Sequence, residues 1–335
     1  NYFYQVNASN ISQYISNYSV GVDVDSTAAV SGDYVYVGSA GGLIYQLNAT
    51  NVNQSFASFN TTGSVGQSSP VVVNNYVYIS SLSGQLYQLN ATNISVSFAN
   101  YTIFTPNDNP EGVSSIAISG SNVYVISIVD IGVSGSATIY QLNATNISKV
   151  INSYSVSAGN PDSIGEVTLT SQYAYFSIGT TLFQANITNV SKIHNTADYG
   201  KISHFPAIRD GYVYVGTSTN NMYQLNASNI SIVKNNVSVA NALTAGKGIA
   251  VNDEFVFISA DGDDGIYQFN ATNVTRIITH RLISGGITMY SSPVIAGGAV
   301  FVAGPDQDNQ LWKFGNYSLS DLTSPTITIN FPGNV

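Results

Sequence analysis

The chain has 335 residues, of which 44% are hydrophobic and 8% charged, with no cysteine. Nine Lys and Arg stand against 18 Asp and Glu, and the net charge of -9 repels phosphate backbones, so nucleic-acid binding is excluded. Zero cysteine removes disulfides, thiolate chemistry and Cys-ligated zinc, leaving His194, His204 and His280 for metal or acid–base work.

Charged residues form about a quarter of an average soluble chain, so Asn, Ser, Thr, Gln and Tyr must wet this surface. No run of about 18 apolar residues is present to span a bilayer. The opening NYFYQVNASN has neither the basic start nor the apolar stretch of a signal peptide; if the protein is secreted, this is its processed form.

In chain order, the first element is a short strand over Tyr2 to Asn7, followed by a second over Ile11 to Val20. The phrase YQVNASNIS from Tyr4 then returns as YQLNATNVN from Tyr45 and YQLNATNIS from Tyr87 and Tyr140. It continues as FQANITNVS from Phe183, YQLNASNIS from Tyr223, YQFNATNVT from Tyr267 and a worn form around Trp312. The spacings are 41, 42, 53, 43, 40, 44 and 45 residues. Ahead of each copy but the first lies an alternating run such as YVYVGS at Tyr34 or YVYISS at Tyr76, and alternation of Val, Ile, Tyr and Phe reads as strand. Before that comes a run of small and β-branched residues, as in SSPVVV from Ser68, and after each copy a further strand, as in VSFANYTIF from Val96.

Four short strands in each period predict a β-propeller blade. We label them A (SSPVVV), B (YVYIS), C (LYQLN) and D (VSFANYTIF), from the axis outward. Seven A–B–C sets predict an all-β, seven-bladed propeller of four-stranded blades. The central residues of strand B (Tyr36, Tyr78, Tyr124, Tyr175, Tyr214, Phe257 and Phe301) are expected at equivalent places. The expected divisions are a surplus N-terminal strand over 1–10, the propeller over 11–318 with residues 11–20 closing the last blade, and a β tail over 319–335.

The unit SSPVVVNNYVYISSLSGQLYQLNATN resembles the repeat of the pyrroloquinoline-quinone-type, quinoprotein-like propellers, over residues 12 to 315. That family's turn has Asp where this chain has Asn, and its repeats often end in Trp, of which this chain has one, Trp312. The resemblance therefore implies the fold without the tryptophan docking network and without cofactor chemistry.

Nineteen N-x-S/T acceptor sequences occur. One series opens the C–D turn (Asn7, Asn48, Asn90, Asn143, Asn186, Asn226, Asn270), where Asx and ST hydrogen bonds explain Asn and Thr as well as a glycan does. A second lies three residues on (Asn10, Asn93, Asn146, Asn189, Asn229, Asn273), and a third falls in or near strand D (Asn17, Asn53, Asn60, Asn100, Asn236), with Asn316 beyond. These later series are the expected glycosylation sites. None has Asp or Glu two residues earlier, which suits an archaeal or eukaryotic rather than a bacterial glycosylation system.

Acidic residues gather in or beside the B–C and D–A connections: Asp23, Asp25, Glu111, Asp130, Asp162, Glu166, Asp261, Asp263, Asp264, Asp306 and Asp308. Asp261 and Asp263 of DGDDG are candidate ligands for weakly bound calcium, although the loop lacks a closing Glu and a solvated turn explains it too. The inserted loop Ser127 to Ala137 is a candidate partner contact. No G-x-S-x-G or other local catalytic signature is found, and His204, ahead of an A strand, reads as axial or as a packed core residue. The tail SPTITINFPGNV alternates Thr326 and Thr328 with Ile327, Ile329 and Phe331, which makes it a candidate for pairing with another copy.

The sequence thus points to a non-enzymatic, extracellular structural glycoprotein. It would be a subunit of a cell-surface layer or filament, archaeal in character, assembled by strand addition between copies and needing no cofactor. An adhesion or ligand-binding propeller using the acidic loops is the alternative, and a quinoprotein-type or lyase-type enzyme the remote one.

Overall fold

The structure is a computed structural model. It describes all residues except 25, 66–67, 104–109, 114–115, 131–134, 159–165, 240–242, 244–247, 261–264, 283–290, 304–309, 316, 318–326 and 329–335.

The chain opens with a two-stranded sheet, β1 (Tyr2–Val6) and β2 (Tyr14–Ser19). Seven antiparallel blade sheets follow. The first is β3 (Ala29–Ser31), β4 (Tyr34–Gly38), β5 (Leu43–Asn48) and β6 (Asn51–Asn60). The second is β7 (Val71–Val73), β8 (Tyr76–Ser80), β9 (Gln85–Asn90) and β10 (Ser97–Thr102). The third holds β11 (Pro110–Val113), β12 (Ala117–Ser119), β13 (Asn122–Asp130), β14 (Gly135–Asn143) and β15 (Asn146–Ala158), with β11 and β12 both pairing β13. The insertion expected as a loop over Ser127 to Ala137 instead lengthens the β13–β14 hairpin, which pairs as far as Asp130↔Gly135.

The fourth sheet is β16 (Thr168–Leu169), β17 (Tyr173–Ile178), β18 (Thr181–Asn186) and β19 (Asn189–Asp198). The fifth is β20 (Ile202–Arg209), β21 (Tyr212–Thr217), β22 (Asn221–Asn226) and β23 (Asn229–Ser238). The sixth is β24 (Ala250–Val251), β25 (Phe255–Ala260), β26 (Gly265–Asn270) and β27 (Asn273–Leu282). The seventh is β28 (Val294–Ala296), β29 (Ala299–Ala303), β30 (Gln310–Gly315) and β31 (Ile327–Thr328). The fold is therefore the all-β, seven-bladed propeller that the repeat predicts, with an extra pair of N-terminal strands. Its residues form two compact units, 1–174 with 185–192, and 175–184 with 193–335. Among the described residues no helix is long and apolar enough to cross a membrane.

One strand assignment differs from the sequence reading. Residues 11–20 do not complete the seventh sheet: β2 pairs β1, Tyr2↔Ser19 through Val6↔Tyr14, and the fourth strand of the seventh sheet is β31, paired at Gln310↔Thr328 and Leu311↔Ile327. Both pairings join strands that are consecutive in the chain, Val6 to Tyr14 and Gly315 to Ile327, which costs less closure entropy than joining opposite chain ends. The tail is accordingly not wholly surplus, since Ile327 and Thr328 belong to their own chain's last sheet.

Within each unit, core clusters lie between successive sheets. In the first unit, Tyr36, Ile44 and Val65 pack against Val77, Ile79, Leu89 and Ile94 of the next blade. In the second, Tyr214, Met222 and Leu243 pack against Val256, Ile258, Phe269 and Val274. Each such cluster puts alternate residues of strands B and C on one face, as the period-2 pattern requires.

Candidate functional site

Within each unit the strongest recurring polar geometry joins one blade to the C–D turn that follows it. In the copies from Tyr45 to Tyr267 the Gln is buried, with Gln46, Gln88, Gln184 and Gln224 at 0% exposure. Its partner is the C–D turn of the following blade. Gln46 Nε2 donates to the Ala91 carbonyl at 3.0 Å, and the Ile94 N–H donates back to Gln46 Oε1 at 3.2 Å. Gln88 repeats this with Ala144 at 2.9 Å and Ile147 at 3.3 Å, and Gln141 with Ile187 and Val190, both at 3.3 Å. In the second unit Gln184 donates to Ala227 and Gln224 to Ala271, both at 2.9 Å.

The central tyrosine of strand B adds a second donor to the same carbonyl. Tyr36 donates to Ala91 O, Tyr78 to Ala144 O, Tyr124 to Ile187 O, Tyr175 to Ala227 O and Tyr214 to Ala271 O. Tyrosine and glutamine sit directly opposite in register, as in Tyr36↔Gln46, Tyr78↔Gln88 and Tyr214↔Gln224. Burial pushes the phenol pKa of Tyr36, Tyr78 and Tyr214 up to about 12, so these hydroxyls remain donors across the ordinary pH range. This Gln–Tyr lock stands where a tryptophan network was expected to be missing. Sequence reasoning passed over it, although a glutamine in the middle of an otherwise apolar strand, repeated in each copy, was its signal.

The lock also explains the NATNIS phrase. Asn90 Oδ1 accepts the N–H and hydroxyl of Thr92, both at 2.8 Å, closing the turn around Ala91, whose carbonyl receives the preceding blade. Asn93 Oδ1 does the same with Ser95, at 3.1 and 2.7 Å, and so presents the buried Ile94 N–H to Gln46. Matching hooks occur at Asn48, Asn143, Asn186, Asn226 and Asn270 in the first series. They recur at Asn10, Asn146, Asn189, Asn229 and Asn273 in the second, and Asn7 holds Ser9 likewise. Both turn series therefore have a structural role in full.

The third series differs. Asn53, Asn60, Asn100 and Asn236 are exposed on the outer strands β6, β10 and β23, and Asn17 is half-buried on β2. On β10 the alternation puts Phe98, Asn100 and Thr102 in one exposed row, with Phe98 53% exposed and edge-on to Tyr76 at 5.5 Å. On β23 Lys234, Asn236 and Ser238 form the corresponding row. Among the described residues the side chains of Asn60, Asn100 and Asn236 serve no internal hydrogen bond.

His204 is 1% exposed, with Nε2 2.9 Å from the Ser259 carbonyl and Nδ1 3.2 Å from Ser203 Oγ, which makes it a satisfied core residue. His280 stacks on Tyr267 with ring centroids 4.0 Å apart, and His194 is exposed on β19. Asp23 accepts a hydrogen bond from Asn1 Nδ2. Glu111 and Asp130 lie in β11 and β13. Asp25, Asp162, Asp261, Asp263, Asp264, Asp306 and Asp308, together with Asn316, Thr326, Ile329 and Phe331, lie outside the described residues. Among the described residues no group of three His, Asp or Glu converges as a metal site would. A shallow cavity of about 340 Å³ in the first unit is lined by Ser171, Gln172, Tyr173, Asn186, Ile187 and Thr188, with no carboxylate or imidazole in its lining.

Residues 15–151 match a repeat family model described as outer membrane protein assembly factor BamB. No curated protein matches the chain. Among solved structures, BamB from Moraxella catarrhalis is similar with a TM-score of 0.67 at 11% identity, covering 88% of this chain and 84% of that one. The computationally designed Ika8 protein is similar with a TM-score of 0.51 at 10% identity, covering 87% and 96%. At such identities the structural likeness concerns the fold alone, a β-propeller, and it is residues 15–151 that are similar to the pyrroloquinoline-quinone-type repeat family.

Proposed function

We propose that the protein is an extracellular structural glycoprotein, a subunit of a cell-surface layer or filament that assembles by strand addition between copies. The observation that carries this reading is the set of exposed acceptor rows on the outer strands, with Asn100 between Phe98 and Thr102 as its clearest member. The surface of a chain with only 8% charged residues needs other means of staying wetted. Carbohydrate on outward asparagines supplies them, and it also blunts the outer strand edges against uncontrolled pairing.

The turn asparagines carry less weight, because their hydrogen-bonded hooks already account for the repeated phrase. The residues we assign to glycan are therefore Asn60, Asn100 and Asn236 first, with Asn17 and Asn53 beside them. Calcium at Asp261 and Asp263 is at most an accessory to this role, and we assign the protein no reaction.

Intact mass and site mapping of the protein from its native source test the reading. We expect a mass well above the bare 35.5 kDa, with Asn60, Asn100 and Asn236 among the occupied sites. A native mass equal to the bare polypeptide overturns it.

A further inference from the structure

The two asparagines of the repeated turn use their side-chain amides differently. The first, as at Asn48, Asn90 and Asn143, is half-buried at the end of strand C and paired there with strand B, at Asn48↔Tyr34, Asn90↔Tyr76 and Asn143↔Asn122. Its Oδ1 accepts both the N–H and the hydroxyl of the residue two on, at 2.7 or 2.8 Å in each of these copies. The turn therefore accounts for asparagine and hydroxyl together. At Asn48 the Nδ2 is engaged as well, donating to Gln54 Oε1 at 2.9 Å.

The second asparagine is exposed at Asn10, Asn93 and Asn146. Its Oδ1 again accepts the N–H two residues on, from Ser12, Ser95 and Ser148. The hydroxyl, however, has no constant use. Ser95 Oγ donates to Asn93 Oδ1 at 2.7 Å, whereas Ser148 Oγ donates to the Asn100 carbonyl at 2.9 Å and Ser231 Oγ to the Thr196 carbonyl at 3.4 Å. In the first blade the hook closes with no hydroxyl, since the Asn53 N–H donates to Asn51 Oδ1 at 3.2 Å. A hook that closes without a hydroxyl does not explain the Ser or Thr that follows the other six second asparagines. What those six share is the acceptor triplet itself.

The amide nitrogen points the same way. Among the described residues Nδ2 of Asn10, Asn93 and Asn146 donates to no protein group. An N-glycan is attached at Nδ2 and leaves the lone pairs of Oδ1 in place, so sugar and hook are compatible on one side chain. We propose that the C–D turn takes its glycan at the second asparagine and not at the first, on Nδ2 of Asn10, Asn93 and Asn146, while Oδ1 goes on holding the hook. The donor is an oligosaccharide linked through its C1 to a lipid phosphate. The C1–O bond to phosphate breaks and the C1–Nδ2 bond forms; the lipid phosphate leaves with the electron pair, and Nδ2 gives up one proton. The first asparagine stays bare because it lies half-buried in the ladder, beside the Ala91 or Ala144 carbonyl that receives the preceding blade. The inference rests on the glycoprotein reading above and adds to it the turn sites.

Site mapping of the native protein by electron-transfer fragmentation tests it, because that method separates Asn90 from Asn93 and Asn143 from Asn146 within one peptide. We expect glycan at Asn93 and Asn146 and none at Asn90 and Asn143. Asn93→Asp, made in the native host, keeps an oxygen for the hook but has no Nδ2, and should lower the intact mass by one glycan. Asn90→Asp should leave the carbohydrate mass unchanged. Unglycosylated samples of both variants should melt within about 2 °C of the parent, which separates a lost glycan from a lost fold. Glycan on Asn90 or Asn143 overturns the proposal. So do bare Asn93 and Asn146 in a protein glycosylated at Asn60, Asn100 and Asn236, a result that leaves the glycoprotein reading standing. Glycan on Asn93 and Asn146 with Asn60, Asn100 and Asn236 bare supports the turn sites and removes the outer-strand assignment. A native chain without carbohydrate overturns both.

Discussion

Replacing Gln88 with alanine removes both bonds of one inter-blade lock without touching either backbone. Loss of the 2.9 Å bond to Ala144 costs about 1 kcal/mol, because that carbonyl keeps the Tyr78 hydroxyl. The Ile147 N–H loses its acceptor at a fully buried residue, and an orphaned buried donor costs about 1–3 kcal/mol. The space left by the missing amide adds about 1 kcal/mol. The sum is about 4 kcal/mol, or a fall in Tm of about 8 °C at about 2 °C per kcal/mol for a chain of this size.

Tyr78→Phe alone should cost about 1 kcal/mol, since Gln88 still serves Ala144. The double variant should cost more than the sum of the two, because only then is the carbonyl left without either donor. Guanidinium and thermal unfolding of the four proteins measure this cycle. A Gln88→Ala protein within about 0.5 kcal/mol of the parent, or strict additivity in the double variant, would refute the shared-acceptor lock.

Three further outcomes are expected. The raised phenols of Tyr36, Tyr78 and Tyr214 bind their protons more tightly folded than unfolded, so stability holds below pH 10 and falls as pH rises toward about 12. Replacing all three with Phe should flatten that alkaline loss in a pH series of melting curves, and an unchanged slope would contradict it. Gly38→Ala should destabilise the first blade, since an added Cβ would lie 2.6 Å from the Val65 carbonyl; chemical denaturation showing no loss would contradict that. Asn90→Ala, which opens one turn hook, should cost about 1 kcal/mol whether or not the protein carries glycan, and a loss seen only in glycosylated material would show that the turn acts through sugar instead.

The blades were legible because period-2 alternation and a repeat of nearly constant length are local signals, visible in Tyr34 to Asn48 as readily as in Tyr212 to Asn226. The lock was harder to see, because Gln88 and Ala144 are far apart in sequence and each looks ordinary alone. The same is true of NATNIS: its residues satisfy an acceptor rule and a turn rule at once, and it takes the hydrogen bonds of Asn90 and Asn93 to show that the turn rule is in use. At the N-terminus the sequence marks β2 as an outer strand but does not say which C strand it joins. Two candidates existed, β1 and β30, and chain proximity decided for β1. His204 could not be placed from sequence, since an axial residue and a packed one have the same neighbours along the chain.

Electron microscopy of the native material at its source, taken directly from the cell envelope, tests the structural role most directly. The account predicts ordered filaments or layers in which the propeller repeats at a constant spacing with carbohydrate density on its outer strands. Dispersed single propellers with bare outer strands would contradict it.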